Sequence, residues 1–204
     1  MKIYGHPMST CTRKVLMTLL ETNTPYDLQV VDFAKGEHKQ EPHLARQPFG
    51  QVPTLDDGGF ELYESRAMCR YVNDKANGAL LPHDLKDRAR TEQWMSVETS
   101  DFSGAVMKFV FQHIFQRQQT PETLEAAGAQ LDKALDIMDK QLASHAFIAG
   151  DAFTLADICF MPYIEYGMNT PAKERFAKHP HVMAWWSKIS ERPTWRKVAG
   201  RAAA

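Results

Sequence analysis

Ser9-Thr10-Cys11-Thr12-Arg13 lies between a short strand-like run, Lys2 to Tyr4, and a segment carrying Val15, Leu16, Leu19 and Leu20 at helical spacing. A hydroxyl and a thiol therefore fall at the mouth of a helix. The unpaired N–H groups and the positive dipole end found there favour an anion such as a thiolate, to which a hydroxyl can donate a hydrogen bond. Taken alone, Ser and Thr ahead of a helix are ordinary N-caps. Two further groups extend the pattern: Gln51-Val52-Pro53 before a strand, and Glu64-Ser65 at the start of another helix. Each is common separately; in this order and spacing they are not. His38 and Lys39, ahead of both groups, read by residue type alone as part of a solvated loop.

The elements that position these groups follow from periodicity and turn signals. Leu28 to Val31 reads as a second strand after Thr24-Pro25 ends the first helix, and a polar loop runs from Ala34 to Glu41. After a less regular segment, Gln51 to Leu55 leads to Asp57-Gly58-Gly59, a hairpin signal, and Phe60 to Tyr63 returns as a strand. Ala67, Met68, Tyr71 and Val72 mark the next helix, so the order is β-α-β-α-β-β-α, an α/β layer over residues 1–76. Residues 77–87, with Asn-Gly and Leu-Pro pairs, read as a linker, and 88–204 as helices only. One helical stretch runs from Arg88 to about Gln118, and a second carries Leu124, Leu131, Leu135, Met138 and Leu142. A third begins at Thr154 and a fourth bears Val182, Trp185, Trp186 and Ile189. Thr154-Leu155-Ala156-Asp157 has capping-box spacing, with Phe153 and Ile158 where a hydrophobic staple would pack; such a cap contributes about 1 kcal/mol.

Composition narrows the partners. A chain of 204 residues fits two compact units, and 24 basic against 25 acidic residues, well mixed, leave no basic patch for nucleic acid. No run approaches the length of a membrane span and no apolar leader opens the chain, so a cytoplasmic protein is expected. Three scattered cysteines argue against a disulfide framework and fit a reducing compartment; neither they nor the eight histidines have metal-ligand spacing.

Several segments, spread in order over almost the whole chain, resemble those of the glutathione transferases, closest to the phi-like branch that uses serine. They are Gly5-His6-Pro7-Met8-Ser9, Gly36-Glu37-His38-Lys39, Gln47-Pro48-Phe49-Gly50-Gln51-Val52-Pro53 (without the usual asparagine), Leu62 to Ala67, the Thr154 to Asp157 cap, and Arg192-Pro193-Thr194-Trp195. The resemblance implies a thioredoxin-like glutathione-binding domain over 1–76 and an all-helical domain over 88–204. It further implies a cytosolic, homodimeric detoxification enzyme that has no tightly bound cofactor and uses glutathione as co-substrate. Ser9 matches the catalytic serine that hydrogen-bonds the glutathione sulfur, and His38 and Lys39 match residues near the glycyl carboxylate. Val52 matches the residue whose backbone pairs with the cysteinyl unit, ahead of a cis Pro53. Gln51, Glu64 and Ser65 match groups on the γ-glutamyl end. Met8 and Phe33 match wall positions of a pocket for a small hydrophobic electrophile, with Met107 to Phe115 expected as the other wall. Phe49 resembles the aromatic key inserted into a partner subunit.

Cys11 departs from that pattern. At a helix N-terminus an exposed thiol can form a mixed disulfide with glutathione, which would make a thiol transferase or peroxidase. Against this, Ser9 holds the position of the reactive group and no resolving cysteine follows. A third alternative keeps the fold for binding a protein partner without catalysis, and such a scaffold has no need of Ser9, Gln51, Glu64 and Ser65. Cys69 and Cys159 sit on apolar helical stretches and are expected to be buried.

Overall fold

The computed structural model describes residues 1–201 and divides into two compact units: Met1–Leu81 with the described residues from Pro193 onward, and Pro82–Arg192. In the first unit β1 (Lys2–Gly5), α1 (Thr10–Glu21) and β2 (Asp27–Val30) are followed by a single 3-10 turn at Glu37–Lys39 and the short α2 (His43–Arg46). Then come β3 (Thr54–Asp57), β4 (Phe60–Tyr63) and α3 (Ser65–Lys75), the β-α-β-α-β-β-α order expected from the sequence. The sheet order is β2-β1-β3-β4. β1 runs parallel to β2 and antiparallel to β3, and β3 pairs antiparallel with β4.

Alternation along the strands sends Ile3 and Leu55 into the core, where Val15, Leu16 and Leu19 of α1 and Met68, Cys69 and Val72 of α3 are also buried. At the β3–β4 hairpin Gly58 and Gly59 both have positive φ, +67° and +97°, which a tight turn matched to the strand twist requires. Asp57 ties that hairpin to α3 by accepting from Tyr71 Oη (2.6 Å) and from Lys75 Nζ.

The second unit contains helices and no strand among the described residues: α4 (Leu85–Val97), a π-helical turn (Glu98–Phe102), α5 (Ser103–His113), α6 (Pro121–Leu142), α7 (Leu155–Gly167), α8 (Lys173–Phe176) and α9 (Pro180–Ser190). The single helix expected from Arg88 to about Gln118 is thus interrupted. Within the π turn Phe102 is fully buried, its ring edge-on to Phe160 at 4.9 Å, a contact that no local periodicity encodes. α7 starts with the expected capping box. Asp157 accepts from Thr154 N–H (2.8 Å) and from two distant donors, Ile148 N–H (3.0 Å) and the Trp185 indole N–H (2.9 Å). Burial raises the Asp157 pKa and these hydrogen bonds act the other way.

The compact units divide differently from the sequence boundaries. α10 (Pro193–Val198) packs on α1 and belongs to the first unit. Trp195 is completely buried there, and Thr194 Oγ1 donates to the Glu21 carboxylate. Leu80 and Leu81, inside the expected linker, are likewise core residues, with Leu80 N–H held by Asn73 Oδ1 at 3.0 Å.

Candidate functional site

Strand direction gathers the chemistry at one edge of the sheet. β1, β2 and β4 point one way and β3 the other, and the register aligns Tyr4 with Thr54 and Thr54 with Tyr63. Residues that follow β1, β2 and β4 and those that precede β3 must therefore emerge together: His6 to Ser9, Val31 to Lys39, Glu64-Ser65, and Gln51 to Pro53. Gly5 permits the closest approach. A Cβ there would stand 2.8 Å from Thr12 Oγ1 and 3.3 Å from Pro53 Cβ.

Ser9 is the N-cap of α1, with φ −74° and ψ 127°, and its Oγ accepts the Thr12 N–H at 3.2 Å. The capping role and a catalytic one are compatible in this geometry. Because the oxygen is occupied as an acceptor, the hydroxyl hydrogen remains to be donated outward. No acidic side chain stands in the first turn of α1, so no carboxylate there competes with an incoming anion. The Ser9 turn is fixed by its own N–H to His6 O (2.9 Å) and by buried Arg13, whose Nε donates to Pro7 O at 2.8 Å.

The second constellation is a strap, residues 47–53, whose backbone is held group by group. Lys39 Nζ donates to Phe49 O (3.0 Å) and Gly50 N–H to Gln47 O (2.8 Å). Gln51 N–H donates to Gln47 Oε1 (3.2 Å), and Gln51 O is bonded to His43 Nε2 (2.6 Å). Gly50 has φ +61°, and a Cβ on it would fall 2.7 Å from Lys39 Cδ and 2.8 Å from His38 O. The next residue differs. Neither the N–H nor the C=O of Val52 has a hydrogen-bond partner among the described residues, and the Val52–Pro53 peptide is cis, as the sequence led us to expect. An open donor and acceptor on one residue are what a second peptide backbone needs for strand-like pairing.

Glu64 takes φ 71° and ψ 103°, a conformation that L-residues other than glycine rarely adopt. Such strain persists only where the surroundings over-determine it, and it concentrates at functional sites. Glu64 leads into α3 without a side-chain cap, while Ser65, its first residue, is 4% exposed. The start of α3 thus faces the edge with its first N–H groups uncapped by Glu64.

Aromatic rings join the loops after β1 and β2. Phe33 stacks on His6 (centroids 4.8 Å, 22°) and meets His38 edge-on at 4.9 Å. His6 Nδ1 in turn accepts the Met8 N–H at 3.2 Å. Met8 and Phe33, at 49% and 42% exposure, leave apolar surface beside Ser9. Burial, then the charges of Lys39 and His43, push the His38 imidazole below its usual pKa, so the neutral ring prevails at pH 7. Its Nδ1 is buried and unpartnered among the described residues. Lys39 is exposed, and one of its three donors is engaged by Phe49 O. Gln51 is exposed as well, as is Phe49, which is edge-on to Tyr63 at 6.3 Å.

Cys11 is half-buried in the first turn of α1. Cys69 is fully buried, and desolvation pushes its thiol up to about 11, which leaves it inert. In the second unit, Ala105, Val106, Phe109 and Val110 of α5 are core residues, whereas Met107 and Phe111 are half-buried.

Sequence reasoning passed over His43, which is 4% exposed, and gave Gln47, 2% exposed, no role of its own. The signal was their i, i+4 spacing across a single helical turn, His43 opening α2 and Gln47 following its end, too short to register as periodic.

Residues 1–74 match the family model described as glutathione S-transferase, N-terminal domain, and residues 102–193 the one described as glutathione S-transferase, C-terminal domain. The chain is similar to glutathione S-transferase F7 of Arabidopsis thaliana, 38% identical over 205 residues covering 97% of this chain and 98% of that protein. Among solved structures it is similar to glutathione transferase F7 from Populus trichocarpa, with 40% identity, a TM-score of 0.92, and coverage of 100% of this chain and 99% of the other. It is also similar to glutathione S-transferase I from mais in complex with an atrazine glutathione conjugate, with 34% identity, a TM-score of 0.90, and coverage of 98% and 96%.

Proposed function

The chain belongs to the glutathione S-transferase family, and from that membership we propose that it ionises glutathione at Ser9 and adds the thiolate to small hydrophobic electrophiles. Glutathione lies along the open edge with its cysteinyl backbone on Val52 N–H and C=O. Its γ-glutamyl end meets Gln51, Glu64 and Ser65, and its glycyl carboxylate lies near His38 and Lys39. Met8 and Phe33 offer the electrophile an apolar surface next to the sulfur.

The observation that carries this proposal is the Ser9 hydroxyl, which caps α1 through its oxygen and keeps its hydrogen for donation. A free thiol has a pKa of about 8.5, and a drop of two units, about 2.7 kcal/mol, makes it mostly thiolate near neutrality. A hydrogen bond to a charged group contributes about 1.5–3 kcal/mol and a helix N-terminus ~0.3–1 kcal/mol, which together suffice. The thiol proton leaves to solvent and no dedicated base is needed. The sulfur lone pair then forms the new C–S bond as the leaving group departs from the electrophile, with the site supplying ionisation and proximity. The relative from mais, held with an atrazine glutathione conjugate, supports a product of this kind.

We further propose a cytoplasmic homodimer with Phe49 at the interface. Supporting this, Phe49 is 66% exposed, large and apolar, and all three cysteines are free thiols. No helix among the described residues is long and apolar enough to cross a membrane.

The test is a calorimetric titration with glutathione, followed by a panel of electrophiles assayed with and without it. Binding, and glutathione-dependent conjugation of a reactive aryl halide, are expected. Absence of binding would refute the proposal. Sedimentation of the wild type as a dimer and of Phe49→Ser as a monomer would support the interface; a wild-type monomer would refute it.

A further inference from the structure

We propose that His43, which opens α2, and Gln47, which follows its end, are positioning residues for glutathione: together they clamp both backbone groups of Gln51 and so set the Val52 edge on which the tripeptide docks. The inference rests on the glutathione site proposed above and adds the groups that hold it in register.

Three observations carry it. His43 and Gln47 are both almost completely buried, 4% and 2% exposed, and a buried polar side chain is retained where it satisfies a partner. Their partners are the two halves of one residue. His43 Nε2 meets Gln51 O at 2.6 Å, and Gln47 Oε1 takes the Gln51 N–H at 3.2 Å. A carbonyl acceptor requires Nε2 to carry a proton, and the other ring nitrogen, Nδ1, is buried without a partner among the described residues. Finally, the held residue is immediately followed by the open one. Phe49 O, Gly50 N–H, Gln51 N–H and Gln51 O are all engaged, whereas Val52 N–H and C=O have no partner among the described residues.

Through Gln51 O the clamp therefore holds the same peptide unit that carries the Val52 N–H. Without it, Gln51 loses its fixed orientation and an extended ligand must order the strap at the moment of binding. That lowers affinity for glutathione, while leaving the Ser9 hydroxyl and the electrophile's surface untouched. The same device gives the short α2 a role in the glutathione edge: its one turn brings the Gln47 N–H onto His43 O (2.9 Å), which places the two clamping side chains on either side of a single turn.

The experiment compares wild type, His43→Phe, His43→Gln, Gln47→Leu and the double variant His43→Phe/Gln47→Leu. Each is measured by calorimetric titration with glutathione, by KM for glutathione, KM for the aryl halide and kcat, and by thermal unfolding. His43→Phe keeps a ring of similar size without the N–H, and His43→Gln restores an N–H near the Nε2 position. We expect His43→Phe and Gln47→Leu each to raise Kd and KM for glutathione about tenfold, with kcat and the aryl-halide KM within twofold. His43→Gln should return to within threefold of wild type. In the double variant the loss should fall well short of the product of the single losses, since both side chains hold the same residue, Gln51.

Unchanged glutathione affinity in both single variants overturns the proposal, as does equal loss of kcat and of both KM values in step with a lower Tm, the mark of a merely structural role. If His43→Phe does not fold, Gln47→Leu and His43→Gln carry the same expectations. Failure of the wild type itself to bind glutathione would instead strike the underlying site.

Discussion

Replacing Glu64 by glycine should make the protein more stable and a poorer binder of glutathione. The residue sits at φ 71° and ψ 103° and provides no side-chain cap to α3, so its removal breaks no cap. A strained non-glycine conformation costs of order 1–3 kcal/mol. Glycine relieves that strain but loses about 0.5–1 kcal/mol more backbone entropy on folding. The balance is a gain of about 1 kcal/mol, or roughly 2–4 °C in Tm for a chain of this size. If the carboxylate receives the γ-glutamyl end, its loss removes a charge-assisted hydrogen bond of about 1.5–3 kcal/mol, raising Kd about ten- to a hundredfold. Thermal unfolding of the free protein and calorimetric titration with glutathione measure the two effects separately. A Glu64→Gly variant that is less stable, or that binds glutathione as well as wild type, would refute the reasoning that the strain is kept for binding.

Asp157→Ala leaves the Ile148, Thr154 and Trp185 N–H donors buried without their acceptor and should cost at least about 3 kcal/mol in urea unfolding, with a shift in tryptophan fluorescence from the 3%-exposed Trp185. The Asp57 carboxyl is held below its usual pKa, first by Lys75 and then by Tyr71, so their contribution is complete above about pH 4 and disappears as pH falls through the folded-state value. The stability gap between wild type and Lys75→Met should accordingly be present at pH 7 and close in acid, as urea midpoints across pH will show. Cys11→Ser should leave aryl-halide conjugation nearly intact; abolished conjugation together with retained activity in Ser9→Ala would move the chemistry to the thiol.

The first unit was legible because its signals are local. Alternation in Lys2–Gly5, two glycines in the hairpin and the apolar stripe of α1 each specify their element without reference to anything distant. The loops that bear Ser9, Val52 and Glu64 were found from residue types at the junctions, where caps and X-Pro pairs stand out. What stayed hidden depends on tertiary placement. The burial of Trp195 against α1 separates α10 from the helices that precede it in sequence, and an apolar stripe does not name its partner. The π turn at Glu98–Phe102 answers to the Phe160 ring, nearly sixty residues on, and the His43–Gln51 bond spans a stretch with no regular periodicity.

Titration of enzyme-bound glutathione, followed by the ultraviolet absorbance of its thiolate, puts the role of the Ser9 hydroxyl to its most direct test. In wild type the midpoint should lie about two pH units below the ~8.5 of a free thiol, and in Ser9→Ala it should return most of the way toward that value. An identical midpoint in both proteins would contradict it.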